Sequence, residues 1–413
     1  MAVIKPFRAL RPRSDLADKI AALPYDVMNS QEAKEMVKQN KYSFLHIDRA
    51  EINFPEPTDP HEPRVYLKAK EILDQMIAED YFIQDETECL YIYRQIMDGR
   101  AQTGLVCCTA IDDYKNNIIK KHEYTRADKE EDRIAHIKAV NAHTGPIFQT
   151  YLDKPAVKQI INHWADTHQP IYQFSSSNVE HICWVIDCSE TIEELVELFD
   201  KIQYLYIADG HHRSQAAFRV GMEMRQENSE YSITEEFNYF LSVLFPASDL
   251  KIMPYNRLVR DLAGLSKQEF FQQIQERFTM KTAPFSPYQP ERKHVFGMYL
   301  DNQWYQLIPK PELIQTDDPV KSLDVAILQD QILAPILNII DPRTDERIEF
   351  VGGIRGLREL ENRVNTNMKA AFSLYPTSIN QVINVADKDQ VMPPKSTWFE
   401  PKLLSGIFIH KLS

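Results

Sequence analysis

The sequence predicts a mixed fold of the α/β or α+β class. Strand-like and helix-like patterns interleave from end to end, and no internal repeat or low-complexity tract interrupts them. Composition agrees: of 413 residues, 43% are hydrophobic and 26% charged, enough apolar surface to offset chain entropy. At about 100–200 residues per domain, this length suggests two or three domains, or one composite unit with insertions. A boundary is expected near residue 260, separating 1–260 from 261–413.

The elements follow in order. VIKPFRAL and KIAALPYDV read as extended. Asn29, with Glu32 three residues on, makes a capping box for a helix in SQEAKEMVKQN. Pro55, Pro57, Pro60 and Pro63 mark a loop. Tyr66, Leu67, Ala69, Ile72, Leu73, Met76 and Ile77 recur at helical spacing. CLYIYRQI and TGLVCCTAI flank Asp98-Gly99, a hairpin signal, with a turn expected to be longer than two residues. EEDRIAHIKAVN is helical, HICWVID a strand and SETIEELVELFDKIQ a helix. YLYIA is a short buried strand that runs straight into the helix HHRSQAAFRVGMEMRQE. FNYFLSVLF and LKIMPYNRLV are strands. Ser266 and Glu269 cap SKQEFFQQIQERF. HVFGMYL pairs with QWYQLI across Asp301-Asn302. DVAILQDQILAPIL and GLRELENRV are helical, RIEFV is a strand, and a last helix starts at Ser378.

Charge and chain ends narrow the function classes. The formal net charge is −13, which repels nucleic acid and anionic membrane but allows a local basic pocket for a small anion. No run approaches the ~18 apolar residues of a membrane span. Lys5, Pro6 and Arg8 break the N-terminal apolar stretch, so no signal-peptide core is seen and a cytoplasmic protein is expected. The five cysteines include no C-x-x-C pair and read as buried free thiols rather than as a redox or zinc site.

The chemistry concentrates where YLYIA meets its helix. Gly210 lets the backbone turn without a Cβ clash. The helix start beyond it offers unpaired N–H groups and a positive dipole end, which suit phosphate. Arg213 adds a forked cation, and Asp209 is a hard oxygen ligand suited to Mg2+ on a nucleotide's phosphates. His211 and His212 donate to phosphate or exchange protons near neutral pH. The plainer alternative makes Asp209 a helix cap and the histidines surface residues.

Other constellations carry weaker signals. His122, Glu123, Thr125, Arg126, Asp132 and Arg133 form a polar block suited to clamping an anionic substrate, or a solvated helix face. Met392-Pro393-Pro394-Lys395-Ser396-Thr397 is a stiff turn with one cation and two hydroxyls. It suits a phosphate or carboxylate contact, without Walker A spacing. Gly352-Gly353 with Arg355 beyond is a third anion candidate, or an ordinary turn. Asp26 in LPYDV is a turn residue or a general base for a substrate hydroxyl.

LPYDV, SFLHIDRAE, KHEYTRADKEEDR, GPIF, YIADGHHR, PYNRLV, SLYPTS and VMPPKSTWFEPKLLSG occur in the order expected of the bacterial domain-of-unknown-function family 1015. The resemblance spans essentially the whole chain. The DGHHR turn is also similar to that of the archaeal free-serine kinases, within the ParB/sulfiredoxin superfamily. That likeness implies a ParB/sulfiredoxin-like α+β core with large insertions, plus a C-terminal α/β region. It also implies phosphate transfer from ADP to L-serine, with Asp209, Gly210, His211, His212 and Arg213 in the nucleotide-phosphate and metal role. The kinases' catalytic carboxylate lies near their first strand, where Asp26 is the nearest residue here, as Asp rather than Glu. Sulfiredoxins need a nucleophilic Cys where His211 stands. The G-E-R-R turn and basic helical region of ParB proteins are absent.

The leading expectation is a small-molecule kinase using ATP or ADP and Mg2+. Asp209 would bind the metal, and Asp26 would take the hydroxyl proton. Gly210, His211, His212, Arg213, Lys395, Ser396 and Thr397 would contact phosphate. His122, Glu123, Arg126 and Arg133 would hold the acceptor, with free L-serine the first candidate. The alternatives are a non-catalytic nucleotide or phosphometabolite sensor, and a phosphate-ester hydrolase. The expected partners are small molecules, with no nucleic acid and no membrane.

Overall fold

The computed structural model describes residues 1–413, which divide into two compact units. The first is Met1–Lys121, Thr125–Leu250 and Pro401–Ser413; the second is His122–Tyr124 and Lys251–Glu400. Both mix helices and strands, and the fold is α+β. No helix is long and apolar enough to cross a membrane.

The first unit is built on a nine-stranded mixed sheet. Its path runs Ile119–Lys120, Leu205–Asp209, Ile147–Tyr151, Tyr239–Pro246, Arg100–Ala110, Leu90–Met97, Val179–Ile186 and Tyr172–Ser176, with Ile4–Lys5 pairing to Arg100–Ala110. Two pairings are parallel: Ile147–Tyr151 with Tyr239–Pro246, and Leu205–Asp209 with Ile119–Lys120. Tyr239–Pro246 is buried along its length, as expected of a central strand covered by helices. Ile134, Ile137, Val157, Ile161, Leu195, Phe199, Ala216 and Val220 join the sheet's core from four helices. A second core gathers Ile20, Phe44, Leu73 and Phe82.

Local signals place most elements. The Asn29–Glu32 capping box forms, with Glu32 N–H donating to Asn29 Oδ1 at 2.9 Å. The helix after Asp209 spans His211–Glu227. Two expectations need correction. Leu16 and Ile20 are four residues apart and both buried, so Ala17–Ile20 is a helical turn rather than extended chain, and Tyr25–Val27 is a 3-10 turn. The hairpin turn is also shorter than expected: Met97 pairs with Arg100, leaving only Asp98 and Gly99 in the loop. Their φ angles of 54° and 77° are the left-handed pair that an Asp-Gly turn supplies.

The second unit holds a six-stranded sheet in the order Phe278–Thr282, Gln303–Pro309, Phe296–Leu300, Ala370–Leu374, Tyr255–Val259 and Ile348–Gly352, antiparallel throughout. Leu300 pairs with Gln303 across the expected Asp301-Asn302 turn. Ser266 caps Lys267–Arg277 and Ser378 caps Ile379–Asp387, each in a capping box. The DVAILQDQIL segment is α-helical only over Asp324–Leu328, then widens so that Ala334 N–H reaches the Gln329 carbonyl.

All five cysteines are free. Burial pushes the Cys107, Cys108 and Cys183 thiols up, so none of these three supplies a thiolate near neutral pH.

Candidate functional site

The apolar strand Leu205–Asp209 is buried until its last residue. Its pairing with Ile147–Tyr151 shifts register between Ile207 and Asp209, which re-aims the final side chain. Gly210 follows at φ 94°, ψ 30° and opens the 17-residue helix, whose N-terminus no side chain caps. The helix packs inward through Ser214, Ala216, Ala217, Val220 and Gly221. At Gly221 an added Cβ would lie 2.5 Å from the Phe237 carbonyl, so only glycine permits this close approach.

Asp209 stands among cations. Lys402 Nζ donates to its Oδ2 at 3.3 Å, and Arg213 Nη2 lies 3.8 Å from the same oxygen. Burial pushes the carboxyl's acidity the other way, but Lys402, then Arg213 and His211, outweigh it and draw its pKa down to about 2. Arg213 lies back over the turn. Its Nη1 donates to the Pro146 carbonyl at 2.5 Å, and a Cβ on Gly210 would sit 3.2 Å from its Nη2. His211 is buried and His212 half-buried. His212 Nε2 accepts from the Arg126 backbone N–H at 3.2 Å, so that nitrogen carries the lone pair.

Beside the turn lies a cavity of about 30 Å³. Tyr25, Asp48, Arg133, His136, His143, Thr144, Arg213 and Ser405 supply its polar lining. Arg133 is buried, bonded through Nε and Nη2 to Asp132 and stacked 3.8 Å over the Tyr25 ring. Asp132 also accepts from Tyr66 Oη at 3.0 Å. Asp48 accepts from Thr144 Oγ1 at 3.0 Å and lies 3.8 Å from His136 Nε2. Burial, then Arg133, lowers the His136 pKa to about 4, so this histidine is neutral at pH 7.

The remaining candidates distribute as follows. Asp26 is exposed on its 3-10 turn and is not among the cavity's lining residues. Arg126 is exposed and paired with Asp128, whereas Asp132 and Arg133 of the same block are buried rather than solvated. His122, Glu123, Lys395, Ser396 and Thr397 belong to the second unit. There His122 Nε2 lies 3.4 Å from Thr397 Oγ1, and the Ser396 hydroxyl closes its turn on the Pro393 carbonyl at 2.5 Å. Lys395 is exposed at φ 56°, with its carbonyl accepting from the buried Arg257 at 3.0 Å. Gly352 packs a would-be Cβ 2.6 Å from Trp398, which makes the Gly-Gly turn a packing feature.

Sequence reasoning missed Lys402, Tyr25, Asp48, His143 and Ser405. Lys402 reaches Asp209 because residues 401–413 return to the first unit, where Leu10 and Ile409 exchange backbone hydrogen bonds. The FEPKLLSG segment was visible as a motif, but no local signal gave its lysine a role.

Comparison with curated proteins gives no match. Several solved structures match over most of this chain at low identity. A free serine kinase variant in complex with AMP is 12% identical, with a TM-score of 0.37, covering 74% of this chain and 89% of its own. SbnI with C-terminal truncation, from Staphylococcus aureus, is 11% identical, with a TM-score of 0.39 and coverages of 72% and 85%. A conserved hypothetical protein from Pyrococcus furiosus is 12% identical, with a TM-score of 0.36 and coverages of 73% and 94%. The family model for the protein of unknown function DUF1015 matches residues 4–326, most of the chain, and the chain belongs to that family.

Proposed function

We propose that this chain is a small-molecule kinase with a ParB/sulfiredoxin-like core, moving a phosphoryl group from ATP or ADP to a hydroxyl. Free L-serine is the first acceptor to test. The setting of Asp209 carries the reading: an ionised carboxylate beside Lys402 and Arg213, at the uncapped start of a long helix. Phosphate oxygens suit that helix end and the forked guanidinium. Phosphoryl transfer asks the protein mainly for positioning and charge stabilisation, which two cations beside the donor phosphates supply.

Mg2+ fits the donor set. The contacts from Lys402 and Arg213 fall on Asp209 Oδ2, and Oδ1 is the oxygen a cation would take. Such an ion is typically held by one or two carboxylates plus substrate phosphates, and it would neutralise charge on those phosphates. In this reading Arg133 holds an acidic group of the acceptor. Asp26, Arg126 and the second unit's His122, Glu123, Lys395, Ser396 and Thr397 remain candidates to be tested singly.

The test is incubation of folded protein with ATP or ADP, Mg2+ and L-serine. O-phosphoserine is the expected product. Its absence with both donors removes serine as acceptor. Phosphate release that ignores added alcohols indicates a hydrolase, and nucleotide binding without donor consumption indicates a sensor.

A further inference from the structure

His143 and His410 face each other as cross-strand partners in a short antiparallel pair, with their Nδ1 atoms 3.3 Å apart. The exposures are 7% and 1%. His410 Nε2 lies 2.7 Å from Glu236 Oε2, and Glu236 also accepts from Lys5. Burial opposes ionisation of Glu236, but His410 and Lys5 outweigh it and hold its carboxyl below the usual range. A carboxylate only accepts, so the His410 Nε2 carries a proton. Burial, with the neighbouring imidazole, drives the His143 pKa well down, and burial keeps His410 below its ordinary value although Glu236 works the other way. Both rings are therefore neutral near pH 7. His410 Nδ1 then holds a lone pair, and the proton between the rings belongs to His143 Nδ1. His143 Nε2 is left as a bare lone pair. It is buried, has no hydrogen-bond partner, and belongs to a residue lining the cavity shared with Arg213.

A buried acceptor without a donor is costly. We propose that His143 Nε2 receives the hydroxyl proton of the phosphoryl acceptor, in place of Asp26. This assignment rests on the phosphoryl-transfer reading. Tyr25, Asp48, Arg133, His136 and Arg213 are the other titratable or charged groups lining the same cavity. Thr144 and Gly145 lead from His143 to Pro146, whose carbonyl anchors Arg213, so proton acceptor and phosphate cation share one short segment. In the step, the hydroxyl oxygen forms a bond to the terminal phosphorus of the nucleoside di- or triphosphate. The bond from that phosphorus to its bridging oxygen breaks, and the electron pair leaves on the nucleotide. The hydroxyl proton goes to His143 Nε2, the Nδ1 proton crosses to His410 Nδ1, and the His410 Nε2 proton passes to Glu236. After the product leaves, the hops reverse along the same chain: Glu236 returns its proton to His410 Nε2, His410 Nδ1 returns one to His143 Nδ1, and His143 Nε2 releases the hydroxyl proton to water, which restores the resting tautomers.

Two measurements on the full chain test this. First, His143→Gln is assayed with ATP or ADP, Mg2+ and L-serine, alongside calorimetric nucleotide binding. The expected result is a kcat loss of about 100-fold or more, with nucleotide affinity within about threefold of wild type. A folded variant with wild-type kcat overturns the proposal, because the cavity then holds only water. Second, nitrogen NMR of histidine-labelled wild type, with His143 assigned through the variant, reads the tautomer directly. Nδ1–H with a bare Nε2 between pH 6 and 8 supports the assignment. An Nε2–H tautomer or an imidazolium overturns it. Should wild type transfer no phosphate, the kinase reading fails on its own, and the tautomer still decides whether His143 is an acceptor.

Discussion

Replacing Gly210 with alanine separates two effects that meet at the turn. Gly210 holds φ 94°, which in an L-residue costs roughly 1–2 kcal/mol. The new Cβ would also lie 3.2 Å from Arg213 Nη2 and 3.3 Å from its Cζ and Nε. A guanidinium at the end of a flexible chain gives way, but it then leaves Asp209 and the Pro146 carbonyl. Losing a charge-assisted bond adds about 1.5–3 kcal/mol at most. Gly99 supplies the control: its φ is 77° and nothing lies within 4 Å of an added Cβ. Gly99→Ala thus carries the backbone cost alone, about 1 kcal/mol. Gly210→Ala should lose about 2–4 kcal/mol in urea denaturation, and about tenfold or more in nucleotide affinity, where each factor of ten is about 1.4 kcal/mol. Equal stability losses in the two variants, with wild-type nucleotide affinity in Gly210→Ala, would refute the claim that Arg213 is held over the turn for binding.

Two further perturbations address electrostatics. Lys402→Met removes the cation 3.3 Å from Asp209, so burial meets less opposition and the carboxyl's pKa climbs from about 2. A depressed carboxylate pKa stabilises the fold above its unfolded value of 3.8 and stops doing so as pH falls through the folded value. The variant should be less stable by up to about 2 kcal/mol at pH 7, with the gap to wild type narrowing between pH 4 and pH 2; a gap independent of pH would contradict this. Asp113 is the opposite case: buried and accepting from the Val3 N–H at 2.7 Å, its carboxyl is pushed by burial up to about 6. The raised pKa favours the fold below 3.8, and that contribution is lost as pH rises through about 6. Asp113→Asn keeps an acceptor and removes the ionisation cost, so it should stabilise by up to about 2–3 kcal/mol at pH 7.5 and by little at pH 4. A destabilised variant at pH 7.5 would show that the charge is needed.

Elements set by local chemistry were legible. The capping boxes at Asn29, Ser266 and Ser378 are chemical signatures, and the run from His211 to Glu227 has a glycine before it and helix formers through it. The KIAA turn was misread because four residues give too little periodicity to separate helix from strand. The site was half legible. Asp209 through Arg213 stand together in sequence, so their convergence needed no long-range contact. Lys402 is 193 positions from Asp209, and His143 is 267 from His410. Such pairs depend on strand order and on the return of the last residues to the first unit, neither of which has a local signature. Asp48 was obscured for another reason. Charged residues usually sit outside, and only the folded cavity shows it buried and partnered.

The central claim is that the bend after Leu205–Asp209 binds phosphoryl groups. Calorimetric titration of ADP with Mg2+ into wild type and Arg213→Gln tests it most directly. The account predicts saturable, Mg2+-dependent binding to wild type at one site per chain, weakened about tenfold or more in the variant. Absence of binding to folded wild type, or equal affinity in both proteins, would contradict it.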